Sequence, residues 1–328
     1  MKFLWQTQME NANISNKTAL TPKFHDGVGI WYWFLRGIIG LAILAGNGPV
    51  IYLIVKRHRL QTTSNWFILS LSIADLLVGV SVIPVSTSCS LLTNCNNAVM
   101  ILFFDLLLFV SIGNMCAMTA DRYLSVVKPL TYFQNMTNSR VFQWIVAAWM
   151  IPISFSVIPF AWITSKSAER KKRAEMIYGT IQIVSFNILP CVVMLLIYGH
   201  IFVLSRKHSR QIRALCVEQN AGRSRALNSR RMKQERSATR VFGLVLLIFV
   251  LCWLISAYRH FCSYFKLSCP MSSGTVLSSR LLMIANSAIN PFIYALLKED
   301  IKREVKRKLC RRRGEVEAFT SSLQSGNR

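Results

Sequence analysis

Several charged side chains lie inside, or at the ends of, stretches of sequence that are otherwise apolar. Asp75 and Asp105 each lie within an apolar run, Arg280 lies in the first turns of a later one, and Asp121 and Arg122 close a run. A charge in the middle of a bilayer costs several kcal/mol, so such side chains face protein or water and not lipid. These residues therefore predict a membrane domain with a polar interior. An ion-pairing or anion-binding group is expected near each end of that domain.

Seven long apolar runs are the elements that must position these side chains. A hydrocarbon core about 30 Å thick requires roughly 20 apolar residues in a helix. With 52% hydrophobic and 16% charged residues, the chain has the composition of a membrane protein. We predict an all-α bundle of seven transmembrane helices followed by a short amphipathic eighth helix, with spans near 31–55, 65–88, 98–124, 141–164, 176–204, 238–262 and 275–297.

The net charge of +25 has a topological explanation that does not require nucleic acid as a partner. Lys and Arg concentrate in segments 56–59, 205–236 and 302–313, which follow the first, fifth and seventh spans. Cytoplasmic loops carry such an excess, so the N-terminus is predicted outside and the C-terminus inside the cell. The expected location is the plasma membrane.

Four regions follow from this topology. Asn13 and Asn16 begin glycosylation acceptor triplets in a polar tail that we predict to be extracellular. In the eighth helix, apolar residues recur every four positions between Lys and Arg, which is typical of a helix on the lipid surface, and Cys310 is a palmitoylation candidate. The regions are an extracellular tail (1–30), the membrane domain (31–297), the surface helix (298–312) and a cytoplasmic tail (313–328).

Several motifs occur in these spans in a fixed order. Together they resemble the rhodopsin-like (class A) G protein-coupled receptors, over roughly residues 30–310. The motifs are Gly46-Asn47, Leu71-Ser72-Ile73-Ala74-Asp75, Asp121-Arg122-Tyr123, Trp149, Pro190 with Tyr198, Phe249 through Cys252-Trp253, and Asn290-Pro291-Phe292-Ile293-Tyr294.

The resemblance implies a heterotrimeric G protein as partner. It also implies a role for residues at the positions of the family's motifs. Glu235 would pair with Arg122 and hold the inner ends of the bundle together; alternatively it is an ordinary charge in a basic run. The coupling and switch residues implied in this way are Asp121, Arg122, Tyr123, Tyr198, Glu235, Phe249, Trp253, Asn290, Pro291 and Tyr294.

The family also binds an allosteric sodium ion at polar positions in the middle of the bundle. All of the matching positions carry the expected residue types here, and no other cofactor is expected. The alternative is a water-filled polar network without a specific ion. The residues concerned are Asp75, Ser111, Asn286, Ser287 and Asn290.

Two departures from the family pattern affect the outer half. Asn97 occupies the position of the usual outer cysteine of the third span, and Ile255 replaces the usual proline of the sixth span. The outward-facing cysteines Cys89, Cys95, Cys262 and Cys269 allow three pairings. We favour a Cys262–Cys269 disulfide within the last outer loop.

The sequence is compatible with an anionic ligand and with a cationic one. Residues 164–177, expected to form an outer loop, are strongly basic, and Arg259 and Arg280 lie nearby at the outer ends of spans six and seven, above Trp253. This predicts an anionic ligand, or simply a solvated basic loop. Alternatively Asp105 anchors an amine, although Phe104 occupies the position at which aminergic receptors carry their acid.

The sequence also bears on two other functional classes. A transporter or channel could use the polar residues of the second and seventh spans, but the sequence shows no internal repeat. A membrane enzyme is not expected, because the five histidines form no metal-spaced pair and no nucleophile motif is present. We therefore predict a non-enzymatic receptor for an unidentified extracellular ligand, in contact with membrane lipids.

Overall fold

The computed structural model describes residues 30–85, 87, 97–163, 167–218, 243–244, 246–258, 261–262, 272–298 and 300–307. These residues form helices joined by short turns. The helices are α1 (Ile30–Lys56), α2 (Thr63–Leu77), α3 (Asn97–Val127), α4 (Pro129–Asn135), α5 (Asn138–Val157), α6 (Phe160–Ile163), α7 (Ala168–Ile183), α8 (Leu189–Glu218), α9 (Leu246–Tyr258), α10 (Ser273–Leu297) and α11 (300–307).

Six helical stretches in the described chain are long and apolar enough to cross a membrane. They agree with the predicted spans one to five and seven, and α9 is the shorter apolar helix of span six. Within residues 246–258 this helix is continuous through Ile255, the residue that replaces the usual proline. The stretches are Trp31–Lys56, Thr63–Val85, Phe103–Val127, Asn138–Trp162, Glu169–Leu204 and Gly274–Ala295.

Two spans contain a π-helical segment just before a proline. One covers Val78–Val82 and precedes Pro84, and the other covers Val184–Ile188 and precedes Pro190. Proline has no backbone N–H and its ring collides with the carbonyl one turn earlier, so the regular α-helical hydrogen bond cannot form at that point. The π segment accommodates this with one wider turn while the helix continues beyond it.

Two glycines allow neighbouring spans to approach closely. A methyl group on Gly46 in α1 would lie 2.5 Å from Cγ of Pro291 in α10. A methyl group on Gly113 in α3 would lie 2.5 Å from the carbonyl oxygen of Ala148 in α5. The absence of a side chain at these positions thus sets the separation of two helix pairs.

The expectation that residues 164–177 form an outer loop is largely wrong. Residues from Ala168 onward are helical and continue into the fifth span. The sequence there contains Ala, Glu, Arg and Lys, which are strong helix formers, and Ser167 caps the first turn by accepting a hydrogen bond from the Arg170 N–H. The basic side chains of this stretch therefore project from a helix.

The predicted amphipathic helix is present within the described residues 300–307. Ile301 is buried in the main apolar cluster and Val305 packs against it. The basic residues Lys302, Arg303, Lys306 and Arg307 are exposed. Lys298 is also described, whereas residues 299 and 308–312, including Cys310, lie outside the described residues.

Candidate functional site

A buried carboxylate organises the centre of the bundle. Asp75 is fully buried and accepts hydrogen bonds from three polar groups on two other spans: Ser111 Oγ at 3.2 Å, Ser287 Oγ at 2.7 Å and Asn290 Nδ2 at 2.9 Å. Each donor lies on α3 or α10, so Asp75 ties α2 to both helices. This arrangement satisfies the carboxylate in a place where an isolated charge would be strongly disfavoured.

The polar centre extends to the first span. Asn47 Nδ2 donates to the carbonyl oxygens of Ile43 and of Ser287, each at 3.1 Å. Asn286 is buried on the same helix as Ser287, but its Oδ1 makes no hydrogen bond within the part of the chain that the structure describes. The same holds for the side-chain oxygens of Asn47, Ser72, Asn114 and Tyr294.

These buried acceptors bear on the predicted sodium site. Oxygen atoms of carboxylate, hydroxyl and amide groups are the ligands that hard cations prefer. Ser111, Ser287 and Asn290 each contact Asp75, and the side-chain oxygen of Asn286 lacks a protein hydrogen bond among the described residues. The donor set fits a small cation, and it equally fits bound water.

The C-terminal end of α3, predicted to face the cytoplasm and called the inner end here, forms a second polar cluster. Arg122 donates from Nη2 and Nε to Oδ2 of Asp121 at 2.6 and 3.0 Å. The other oxygen of Asp121 accepts from the hydroxyl of Tyr132, in α4, at 2.7 Å. Burial, reinforced by the adjacent Asp121, raises the pKa of Tyr132, so its hydroxyl remains a donor. The sequence did not single out Tyr132.

Aromatic residues surround this inner cluster. The Tyr123 ring lies 5.8 Å from the imidazole of His200, which joins α3 to α8. Tyr198 is partly buried on the same helix, and a methyl group on Gly243 would lie 3.9 Å from its ring. Tyr294 in α10 is fully buried. The predicted switch tyrosines therefore lie on the helices that enclose the inner end of α3.

The predicted aromatic pair of the sixth span is present. The rings of Phe249 and Trp253 lie 5.6 Å apart, and both side chains are buried in the main apolar cluster. Phe104 packs against the same cluster from α3. The pair thus forms part of the main apolar core together with Phe104.

Asp105 is buried in the N-terminal half of α3 and has a partner that the sequence pattern did not indicate. Gln182 in α7 donates from Nε2 to Oδ2 of Asp105 at 3.2 Å, and both side chains are buried. A glutamine near the start of a span gives little sequence signal. The contact places a negative group between the third and fifth spans.

Arg280 lies between the first and seventh spans and has a second arginine nearby. Arg36 in α1 is buried, and its Nη1 donates to the Tyr32 hydroxyl at 3.2 Å. Arg280 hydrogen-bonds the same tyrosine, and the two guanidinium groups interact electrostatically with each other. Arg36 also lies 5.9 Å from the centre of the Trp33 ring. Sequence reasoning found Arg280 but not Arg36.

A buried lysine joins the end of the seventh span to the start of the second. Lys298 Nζ donates to Asn65 Oδ1 and, at 3.3 Å, to Ser64 Oγ, and lies 3.8 Å from Oδ2 of Asp300. Asn65 in turn donates to Asp300 Oδ2 at 2.9 Å. Burial lowers the pKa of Lys298 to about 8, against the opposing effect of Asp300.

Several predicted site residues lie outside the part of the chain that the structure describes. Cys262 is part of a disulfide, while Cys116, Cys191 and Cys252 are free. The predicted partner of Cys262 falls outside the described residues, so the pairing stays a prediction. The same applies to the remaining residues Asn13, Asn16, Glu235, Arg259, Cys269 and Cys310.

Comparison with known proteins adds the family. The sequence model of the 7 transmembrane receptor (rhodopsin family) matches residues 46–294, from the glycine that contacts Pro291 to the buried Tyr294. The chain belongs to this family. The match covers the central polar residues, the inner cluster and the aromatic pair, and it establishes the seven-helix bundle.

Individual relatives are distant but extend over most of the chain. It is similar to an octopamine receptor beta-2R from Chilo suppressalis, with 27% identity over 83% of this chain and 78% of the relative. It is 30% identical to trace amine-associated receptor 9 from Mus musculus, with 83% of each chain covered. A histamine H2 receptor from Cavia porcellus is 29% identical over 88% of this chain and 82% of the relative.

Proposed function

We propose that the protein is a plasma-membrane receptor that converts binding of an extracellular ligand into activation of a heterotrimeric G protein. One observation carries the proposal: Asp75 is bonded to Ser111 and Asn290, so a single buried carboxylate couples the second, third and seventh spans. Family membership supports the same reading. The N-terminus is proposed to face outward.

The proposed mechanism is a shift between two arrangements of the bundle. A ligand at the outer ends favours one arrangement if it binds that arrangement more tightly. Movement of α9 at Trp253 is passed to the Asp75 hydrogen bonds, which cannot stretch without repacking. The change reaches the inner end of α3, where Arg122 leaves Asp121 and becomes available to the G protein.

A sodium ion is proposed to be held by Asp75, Ser111, Asn286, Ser287 and Asn290. When bound, it supplies a positive charge that compensates Asp75. The residues themselves keep α2, α3 and α10 together through the hydrogen bonds described above. Any ligand that separates these helices has to break those bonds, so the cluster favours the inactive arrangement.

For the ligand, we propose an anionic group that binds near Arg280. Arg36 and Arg280 share the Tyr32 hydroxyl, so the positive charges of a buried and a half-buried arginine are held close together. A carboxylate or phosphate between them would relieve their repulsion and could accept paired hydrogen bonds from a guanidinium group. Exposed Lys172 and Arg173 in α7 would draw anions to the outer surface.

An amine ligand is the second candidate, because a specific contact favours it. Asp105 is buried and held by Gln182 between the third and fifth spans, where a ligand cation could replace the amide as its partner. The relatives reported above carry names that refer to octopamine, trace amines and histamine. Those names describe the relatives, and for this chain they support only the proposal.

The coupling mechanism is tested with Arg122→Ala. Nucleotide exchange on a panel of G proteins would be measured in membranes at matched surface expression, with Arg140→Ala as control because Arg140 is exposed at the start of α5. Loss of stimulated exchange in Arg122→Ala alone supports the proposal. Full activity of the Arg122 variant would reject it.

The charge of the ligand is tested with tissue extracts separated by ion exchange. Receptor-expressing and mock cells would report G protein activation by anionic and cationic fractions. Activity in anionic fractions that disappears in Arg280→Ala supports the arginine site. Activity in cationic fractions that disappears in Asp105→Asn rejects it and assigns an amine.

A further inference from the structure

A run of four cations lies near the start of α7 and faces away from the rest of the protein. Arg170, Lys172 and Arg173 are exposed, and Lys171 is half-buried. Successive residues of an α-helix point about 100° apart, so four consecutive side chains cover most of the circumference of a turn. A turn packed against a neighbouring helix would bury at least one of them. This turn, which we call the outer basic turn (residues 170–173), therefore projects beyond the bundle.

The residues that follow the outer basic turn show where it lies relative to the membrane. Met176 and Ile177 are 57% and 50% exposed, and exposed apolar side chains continue at Ile181 and Val184. Side chains of this kind belong against lipid, and they begin about 5 Å along the helix axis after Arg173. In the proposed orientation the four cations thus lie just beyond the outer leaflet, at the extracellular surface.

The charges of the outer basic turn are not balanced by the part of the chain that the structure describes. Within that part, none of the four cations forms an ion pair with a carboxylate, whereas Arg57 and Arg307 at the other end of the bundle both contact Glu304. Like charges repel one another, and cations near the N-terminus of a helix also oppose its dipole. A bound polyanion would offset both effects.

We infer that the outer basic turn binds a sulfated polysaccharide of the cell surface or extracellular matrix, of the heparan sulfate class. A compact anion reaches only one side of the projecting turn. A flexible chain that carries many sulfates can follow the turn and meet cations on several sides of it. Guanidinium groups bind oxyanions through paired hydrogen bonds, and short runs of Lys and Arg are typical of heparin-binding patches.

Two other anionic partners fit this surface less well. Anionic lipids give the cytoplasmic leaflet its negative potential, so the outer leaflet offers few headgroups of the required charge. A folded acidic protein presents one face and would leave the cations on the other sides of the turn without a partner. The surface is also separate from the proposed ligand site, because Arg36 and Arg280 lie on α1 and α10. The inference uses the proposed orientation of the protein but does not depend on G protein coupling.

The test is binding of fluorescently labelled heparin to intact cells that make no sulfated polysaccharide of their own and express the full-length receptor. Intact cells expose only the outer surface, so the basic cytoplasmic segments cannot contribute. Surface expression would be matched with an antibody against an epitope at the N-terminus, which also reports whether that end faces outward. Binding would be measured at about 50 and about 200 mM salt and at constant osmolarity.

Four double variants would be compared with the unmodified receptor. Arg170→Gln with Lys171→Gln and Lys172→Gln with Arg173→Gln remove charge from the outer basic turn, whereas Lys171→Arg with Lys172→Arg keeps it. The control is Lys56→Gln with Arg59→Gln, which removes the same charge from exposed positions after α1, on the proposed cytoplasmic side. All of the substituted side chains are exposed or half-buried, so no substitution leaves a cavity in the core.

Heparin affinity should depend on salt according to the number of cations that contact the polysaccharide. With a slope of about 0.7 per cation for a flexible polyanion, four contacts lose about fiftyfold in affinity between the two salt concentrations. Each charge-removing variant has two contacts left and should lose only about sevenfold over the same range. It should also bind more weakly than the unmodified receptor at the lower salt concentration. The charge-conserving variant and the control should bind like the unmodified receptor.

Several results would overturn the inference. They are unchanged binding in either charge-removing variant, weaker binding in the charge-conserving variant, an equal loss in the control, and equal binding of heparin from which the sulfates have been removed. Polyglutamate that competes as well as unlabelled heparin would overturn it in favour of an acidic protein.

Heparin binding is measured without any signalling readout. If it fails while stimulated nucleotide exchange persists, the inference is wrong and the proposed receptor function stands. If exchange fails while heparin binding and its dependence on the outer basic turn persist, the opposite holds. An N-terminal epitope that the antibody cannot reach on intact cells would overturn the proposed orientation and this inference with it.

Discussion

The hydroxyl of Tyr132 and the carboxylate of Asp121 are joined by a 2.7 Å hydrogen bond that ties the inner end of α3 to the helix that follows it. Asp121 is fully buried and its other oxygen binds Arg122, so the three side chains form one unit. Movement of Arg122 away from Asp121 therefore has to break hydrogen bonds to an aspartate whose position Tyr132 fixes.

Tyr132→Phe should therefore raise activity without ligand. A hydrogen bond to a charged group is worth about 1.5–3 kcal/mol, and its loss would weaken the hold of Asp121 on Arg122. We expect roughly a fivefold increase in basal nucleotide exchange at matched surface expression. Tyr258→Phe, at an exposed position of α9, is the control; unchanged basal exchange in Tyr132→Phe would contradict this role.

Gly46→Ala should destabilise the bundle. The added methyl group would lie 2.5 Å from Cγ of Pro291, and overpacking of this kind typically costs about 1–3 kcal/mol. The control is Gly48→Ala two residues later, where the structure shows no atom within 4 Å of the added group. Thermal unfolding of the purified receptor should show a lower midpoint for Gly46→Ala and an equal or higher one for the control.

Asp75→Asn should abolish any dependence of stability on sodium. If the ion is held at Asp75, sodium in place of a bulky organic cation raises the unfolding temperature of the unmodified receptor, because a ligand of the folded state stabilises it. Asp105→Asn, which alters a buried carboxylate elsewhere in the bundle, should retain the sodium effect. A sodium effect that persists in Asp75→Asn would exclude this ion site.

Lys298 should make stability rise with pH. Its pKa in the folded protein is about 8, while the unfolded chain keeps the ordinary value of 10.5, so between these values the unfolded state binds more protons. The free energy of unfolding therefore increases from pH 8 upward. In Lys298→Met, unfolding midpoints measured between pH 7.5 and 9.5 should rise less steeply than in the unmodified receptor; parallel curves would contradict the shifted pKa.

Polar residues inside apolar runs were the predictable part of the site. Asp75 could only be satisfied by the few polar side chains on facing helices, and the structure joins it to Ser111, Ser287 and Asn290 as the sequence indicated. Spacing within a single helix was equally informative, since Phe249 and Trp253 are one turn apart and do pack together.

Residues whose partners lie far away in sequence were missed. Tyr132 sits in a polar connection where a tyrosine has no distinctive pattern, and Arg36 was hidden among aromatic residues at the start of the first span. The basic stretch between the fourth and fifth apolar runs predicts a loop, whereas the chain is helical from Ala168, because charge does not lower the helix propensity of Ala, Glu, Lys and Arg. Such features depend on packing between spans, which periodicity does not encode.

The π segment at Val184–Ile188 divides the fifth span into two parts. The side chains of the two parts face in directions, around the helix axis, that are set independently of each other. One wide turn shifts the facing of every residue on its outer side, including Gln182, while Tyr198 and His200 keep their positions around α3. Substitutions on the outer side can thus change which chemical groups meet Asp105 without altering the inner end. The residues that meet a ligand can therefore change while those around the inner end of α3 stay the same.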